Sequence, residues 1–102
     1  MNRLALVAVL GALAPLAQAS EELAQQSGCI ACHAADKAGV GPSWQDIATR
    51  YKDDAEAPTV LAAAVRNGSK GKWGGQIPMM PIPAERLSDE NLATLVAWVL
   101  KR

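Results

Sequence analysis

Two thiols and one imidazole fall within five residues of one another in "SGCIACHAAD", residues 27–36: Cys29, Cys32 and His33. The chain has no other cysteine and no other histidine. In a helix-like turn, residues three apart share a face, so both sulfurs can form thioethers along one edge of a planar macrocycle. The next residue then stands where its imidazole can reach a central iron. Two cysteines at this spacing with histidine directly after them are the attachment pattern of a c-type haem. Cys29 and Cys32 would fix the group, and His33 would be its proximal ligand.

Other chemistries use part of the same set. A thioredoxin-like redox pair expects a βαβ setting, and no segment here alternates like a strand. A structural zinc site takes about four protein ligands, and no further Cys or His completes one. An inert disulfide accounts for the cysteines but leaves the histidine unexplained. A haem uses all three residues.

What such a centre does depends on the far side of the iron. An open position admits small molecules, whereas a protein ligand closes it and suits electron transfer. Methionine opposite histidine is the electron-transfer arrangement and raises the reduction potential, because a soft, uncharged thioether favours ferrous iron. Apart from Met1, the methionines are Met79 and Met80. Loop methionines ordinarily fill core gaps, but "IPMMP" is flanked by Pro78 and Pro81, which stiffen the backbone and fix side-chain direction. Adjacent residues of an extended stretch point to opposite sides. One of the two should bind iron, and residue types alone leave open which.

The elements that must position these groups are short helices. Ser20 with Glu21 and Glu22 suits a helix start, running toward Gly28. "SWQDIATRY" reads as a second helix capped by Ser43. Pro58 suits the first turn of a third, "TVLAAAVRN", with Gly68 as its exit. "GSKGKWGGQIPMMPIPAE" has no helical period and is a long loop, and long loops in compact domains are usually functional or disordered. Ser88 caps the final helix, where Leu92, Leu95, Val96, Val99 and Leu100 recur at helical spacing and Lys101 and Arg102 suit the negative end. The fold class expected is all-α, about four short helices around one covalently bound haem.

Ahead of these stands a leader: Arg3, an apolar run over residues 4–16, then small residues in "AQAS". This is the layout of a secretory signal, and the run is shorter than the roughly 20 residues of a membrane span. Cleavage is expected after Ala19, giving a signal peptide over 1–19 and one domain over 20–102, delivered to the periplasm. Ten Lys and Arg face ten Asp and Glu. The basic footprint of a nucleic-acid binder is therefore missing. The apolar core is thin, with no Phe and only Trp44, Tyr51, Trp73 and Trp98 as aromatic residues. Domains of this size often need a staple such as a cofactor.

Taken in order, "GCIACH", "VGPSW", "RNGSKGKWG", "IPMMP" and "LSDENLATLVAWVL" resemble the short, single-haem bacterial class I c-type cytochromes over essentially the whole of 20–102. The resemblance implies a bundle whose terminal helices cross, with the haem filling the core. It places the distal ligand on Met79, within "IPM", with Met80 at a more variable position. It implies that the Pro42 carbonyl accepts a hydrogen bond from the proximal imidazole, and that the Trp73 indole reaches a haem propionate. An arginine frequent in the family for the same purpose is replaced here by Ala64, leaving Arg66 or Lys72 as substitutes. Trp98 and Gly28 fit the helix crossing as packing residues.

The resulting expectation is a monomeric periplasmic electron carrier, not an enzyme. Its haem c iron cycles between Fe(III) and Fe(II) with His33 and Met79 as metal ligands. Partners would be other redox proteins, such as a respiratory complex, terminal oxidase, nitrite reductase or peroxidase. Docking would use the haem edge, with Arg66, Lys70 and Lys72 on one side and Ile77 and Ile82 nearby. The rival readings are a haem sensor or small haem enzyme whose iron takes an outside ligand, and a subunit of a larger redox assembly. No His, Tyr or carboxylate pair in the distal loop supports acid–base chemistry.

Overall fold

The computed structural model describes residues 16–102. Four α-helices are found among the described residues: α1 (Leu16–Gln26), α2 (Trp44–Arg50), α3 (Ala57–Asn67) and α4 (Asp89–Leu100). A single 3₁₀ turn, Cys29–Ala31, follows α1. The expected all-α architecture is the one observed.

Local chemistry explains most helix ends. The Ser43 hydroxyl accepts from the Asp46 amide at 3.0 Å, and the Ser88 hydroxyl accepts from the Asn91 amide at 3.1 Å. Each satisfies one of the orphan donors at a helix start. Pro58 lies in the first turn of α3, where a missing N–H costs nothing. Gly68 ends that helix at φ 81°, ψ 172°, a conformation essentially reserved for glycine.

The start of α1 differs from expectation. The helix runs back to Leu16, so Ser20 lies inside it and is buried rather than capping it. The residues ahead of Ser20 are good helix formers, and nothing in them stops a helix while the chain is continuous. The leader expected over 1–19 falls mostly outside the described residues.

Helix α4 is the hub and packs on α1, α2 and α3. Its face of Leu92, Leu95, Val96, Trp98 and Val99 meets Ala24 of α1, Trp44 and Ile47 of α2, and Leu87 from the loop before it. Leu61, Ala62 and Val65 of α3 are half-buried against this cluster. Gly28 has φ 80°, and the Arg86 guanidinium stands 3.5 Å from where its Cβ would be. Trp98 meets Trp44 edge-on, with ring centroids 5.7 Å apart, and Arg102 lies over its ring at 4.6 Å.

Residues 68–88 hold no helix. They are nevertheless anchored, because Ser69 and Met79 pair in an isolated antiparallel bridge. No helix among the described residues is long and apolar enough to cross a membrane.

Candidate functional site

The turn after α1 brings the motif together. Gly28 turns the chain, and the Cys29 carbonyl then accepts from the amides of Cys32 (3.2 Å) and His33 (3.0 Å). Both thiols are unpaired, with Cys29 half-buried and Cys32 exposed. Burial pushes the Cys29 thiol above its ordinary range, while a backbone hydrogen bond and the Arg86 charge pull it partly back. Arg86 also reaches the Ser27 carbonyl at 3.4 Å, tying the loop before α4 to this turn.

The segment after His33 folds back over the motif. The Gly41 amide donates to the Cys32 carbonyl at 2.9 Å, and the amides of Trp44 and Gln45 donate to the carbonyls of Ala34 and Ala35. This return brings Pro42 against the imidazole, with His33 Nδ1 2.7 Å from the Pro42 carbonyl oxygen. A carbonyl oxygen only accepts, so Nδ1 carries the proton and Nε2 keeps its lone pair for a metal. Gly41 makes the approach possible, since a Cβ there would lie 2.7 Å from the His33 ring.

A further contact was not read from the sequence. Trp44 stacks on the His33 ring at 4.6 Å with planes inclined by 21°. Its place directly after the Ser43 cap, two residues past Pro42, was the available signal. His33 is thus held by a hydrogen bond, a backbone approach and an aromatic face at once.

On the distal side the structure separates the two methionines. Met79 is half-buried, and its amide and carbonyl both bond to Ser69, at 2.7 and 3.0 Å. A Cβ on Gly68 would fall 2.7 Å from the Met79 carbonyl oxygen. Met80 is 69% exposed.

The cations near the loop take different roles. Arg66 is paired, with its guanidinium 2.7 Å from Asp89 Oδ1 and 3.2 Å from the Ile82 carbonyl oxygen. The cation beside Trp73 is Arg50, 4.4 Å over the ring and donating to the Lys72 carbonyl at 2.9 Å. Nothing in α2 had marked Arg50 for this. Lys70 and Lys72 are exposed, Ala64 is half-buried, and Ile82 packs against the core instead of standing free.

These residues fit a covalently bound haem. Two free thiols at the thioether spacing sit beside an imidazole whose Nε2 is left for iron. Large apolar side chains, Ile30, Val40 and Ile77, stand at the surface of segments that meet, since the Val40 carbonyl lies 3.8 Å from where a Gly75 Cβ would be.

Comparison with known proteins agrees. The cytochrome c family model matches residues 17–102. Cytochrome c2 of Rubrivivax gelatinosus is 46% identical over 80 residues, 78% of this chain and 93% of that protein. Cytochrome c-551 of Pseudomonas aeruginosa is 37% identical over 107 aligned positions that span 100% of this chain and 99% of that one. The crystal structure of Nitrosomonas europaea cytochrome c552 superposes with a TM-score of 0.70 at 43% identity, covering 79% of this chain and 96% of that one.

A small all-α bundle with this thiol and imidazole arrangement is the class I c-type cytochrome design, and the chain belongs to the cytochrome c family. It carries one covalent haem c and acts as a haem-based electron carrier rather than an enzyme, exchanging electrons with redox partners.

Proposed function

We propose that the chain is a monomeric periplasmic carrier, attached to haem through Cys29 and Cys32 and ligating its iron with His33 and Met79. The haem iron, alternating between Fe(III) and Fe(II), supplies the one-electron chemistry. The observation that carries the reading is the pairing of Met79 with Ser69. It fixes the Met79 backbone on the exit of α3, whereas Met80 points largely to solvent.

On the other side, the Pro42 carbonyl orients the His33 ring and raises its basicity as a ligand. His33 and Met79 would hold the iron from opposite sides, and with both supplied by the chain its ligands need not change as it gains or loses an electron. Trp73, steadied by Arg50, is the proposed propionate partner, since a Trp ring can offer its N–H while its body packs. Lys70 and Lys72, with Ile77 and Met80, form the proposed docking rim, while Arg66 is paired with Asp89. Interfaces of this kind are small, and charge-guided docking slows at high ionic strength.

The leader over 1–19, cleaved after Ala19, would deliver the carrier to the periplasm. Its partners there would be redox proteins such as a respiratory complex, terminal oxidase, nitrite reductase or peroxidase.

The test is the optical spectrum of the exported holoprotein, oxidised, reduced and then exposed to carbon monoxide. Expected is a low-spin centre with a sulfur-to-iron charge-transfer band that the gas leaves unchanged. The band disappears in Met79→Ala and persists in Met80→Ala. A high-spin iron that takes up the gas at once would replace the carrier with a sensor or small haem enzyme.

A further inference from the structure

The distal loop is joined to the end of α3 along a continuous seam. Ser69 and Met79 exchange two backbone hydrogen bonds, the Ile82 amide donates to the Val65 carbonyl at 2.8 Å, and Gly68 lies tight against Met79. One side chain closes the seam. Arg66, in the last turn of α3, donates through Nη1 to the Ile82 carbonyl at 3.2 Å and through Nη2 to Asp89 Oδ1 at 2.7 Å. A single guanidinium therefore joins α3, the segment three residues beyond Met79, and the first residue of α4.

We infer that Arg66 is a positioning residue for the distal ligand: its bridge from Ile82 to Asp89 keeps the Met79 segment closed on α3 and outside ligands off the iron. The inference rests on the reading of Met79 as that ligand. Glycine-rich loops without helix open locally at a small fraction of the global unfolding free energy, and residues 68–88 include Gly68, Gly71, Gly74 and Gly75. Hydrogen bonds from a charged donor are the stronger ones in such a seam. The rigid guanidinium fork reaches two acceptors together, which a lysine ammonium on a flexible stem does not reproduce. The two ends are unequal. The Asp89 carboxylate is 92% exposed against 21% for the Arg66 side chain, so water and salt weaken the Asp89 end, and the Ile82 end carries most of the restraint.

Imidazole offered to the ferric holoprotein tests this, because it binds by exchanging with the thioether without a change of oxidation state. Expected is a rise of about tenfold in imidazole affinity for Arg66→Ala, equivalent to about 1.4 kcal/mol of easier opening. Arg66→Lys should fall between wild type and Arg66→Ala, and Asp89→Asn should show a smaller rise than Arg66→Ala. The Ile82 and Met79 amides should exchange faster with solvent in Arg66→Ala, while the Trp44 amide keeps its protection. Val99→Ala, a core change at the other end of α4, should lower thermal stability without raising imidazole affinity.

Wild-type imidazole affinity and Ile82 exchange in Arg66→Ala would overturn the inference, as would an equal rise in Val99→Ala. If instead Met79→Ala keeps the charge-transfer band and Met80→Ala loses it, the reading of the ligand fails and the inference falls with it.

Discussion

Around His33 the side chain itself is gripped; around Met79 the grip is on the backbone. The imidazole has Pro42 on one nitrogen, Gly41 against its edge and Trp44 on its face. Met79 is located by two main-chain bonds to Ser69 and by the tight passage past Gly68. The difference teaches how one small bundle can hold one proposed ligand fixed and leave the other releasable. A ring packed on three sides shifts only by giving up its Pro42 bond or its Trp44 contact, whereas a loop stitched along one edge can lift as a unit.

Gly68→Ala should break the contrast most severely on the distal side. The residue needs positive φ, and its neighbours are the Met79 carbonyl and the Pro81 ring, neither of which can swing aside. A loss of about 3 kcal/mol is expected from backbone strain of this kind, read as a lower denaturation midpoint together with a weakened charge-transfer band. The His33 Nδ1–H signal in the proton NMR spectrum should persist. Were that signal to vanish with the band, the two sides would not be independent.

Gly41→Ala tests the other side and should do somewhat less. The added methyl meets the imidazole at 2.7 Å, and a ring can yield where a backbone cannot. Overpacking of this type costs about 2 kcal/mol. The expected signature is a displaced His33 Nδ1–H resonance with the Ser69 and Met79 amides still protected from exchange.

Ser43→Ala sharpens the comparison with the smallest effect. Loss of the hydroxyl that caps α2 costs about 1 kcal/mol, measurable by chemical denaturation. Because Trp44 is the first residue of α2, fraying there should loosen the face under His33 and leave imidazole binding at the distal position unchanged.

The proximal side was largely legible in the sequence because its parts are local. Cys29, Cys32 and His33 fall within one short segment, Pro42 follows nine residues on and is implied by the family resemblance, and the caps at Ser43 and Ser88 announce themselves by residue type. On the distal side the resemblance implies Met79, but the contacts that hold its loop are not legible. Its restraints join residues far apart in the chain: Arg66 to Asp89 across 23 positions, Arg66 to Ile82 across 16, and Arg50 to Lys72 across 22. Neither arginine differs locally from any solvated charge at the end of a helix, so Arg66 was assigned to the docking rim and Arg50 to nothing. The start of α1 was misread for another reason. Ser20 looks like a cap only if the chain begins there, and in the continuous chain the helix passes through it.

The acceptor for His33 is the main-chain oxygen of Pro42, and the pairing of Met79 is likewise main chain to main chain. Exchanging the Pro42 side chain leaves that oxygen in place, and a peptide carbonyl, unlike a carboxylate in the same place, neither gains nor loses a proton over the working range of pH. The acceptor that orients the proposed proximal ligand is therefore independent of the side chain at position 42 and of the protonation of any carboxylate. The wiring that aims the imidazole is set by the path of the chain, not by the chemistry of the acceptor's own side chain.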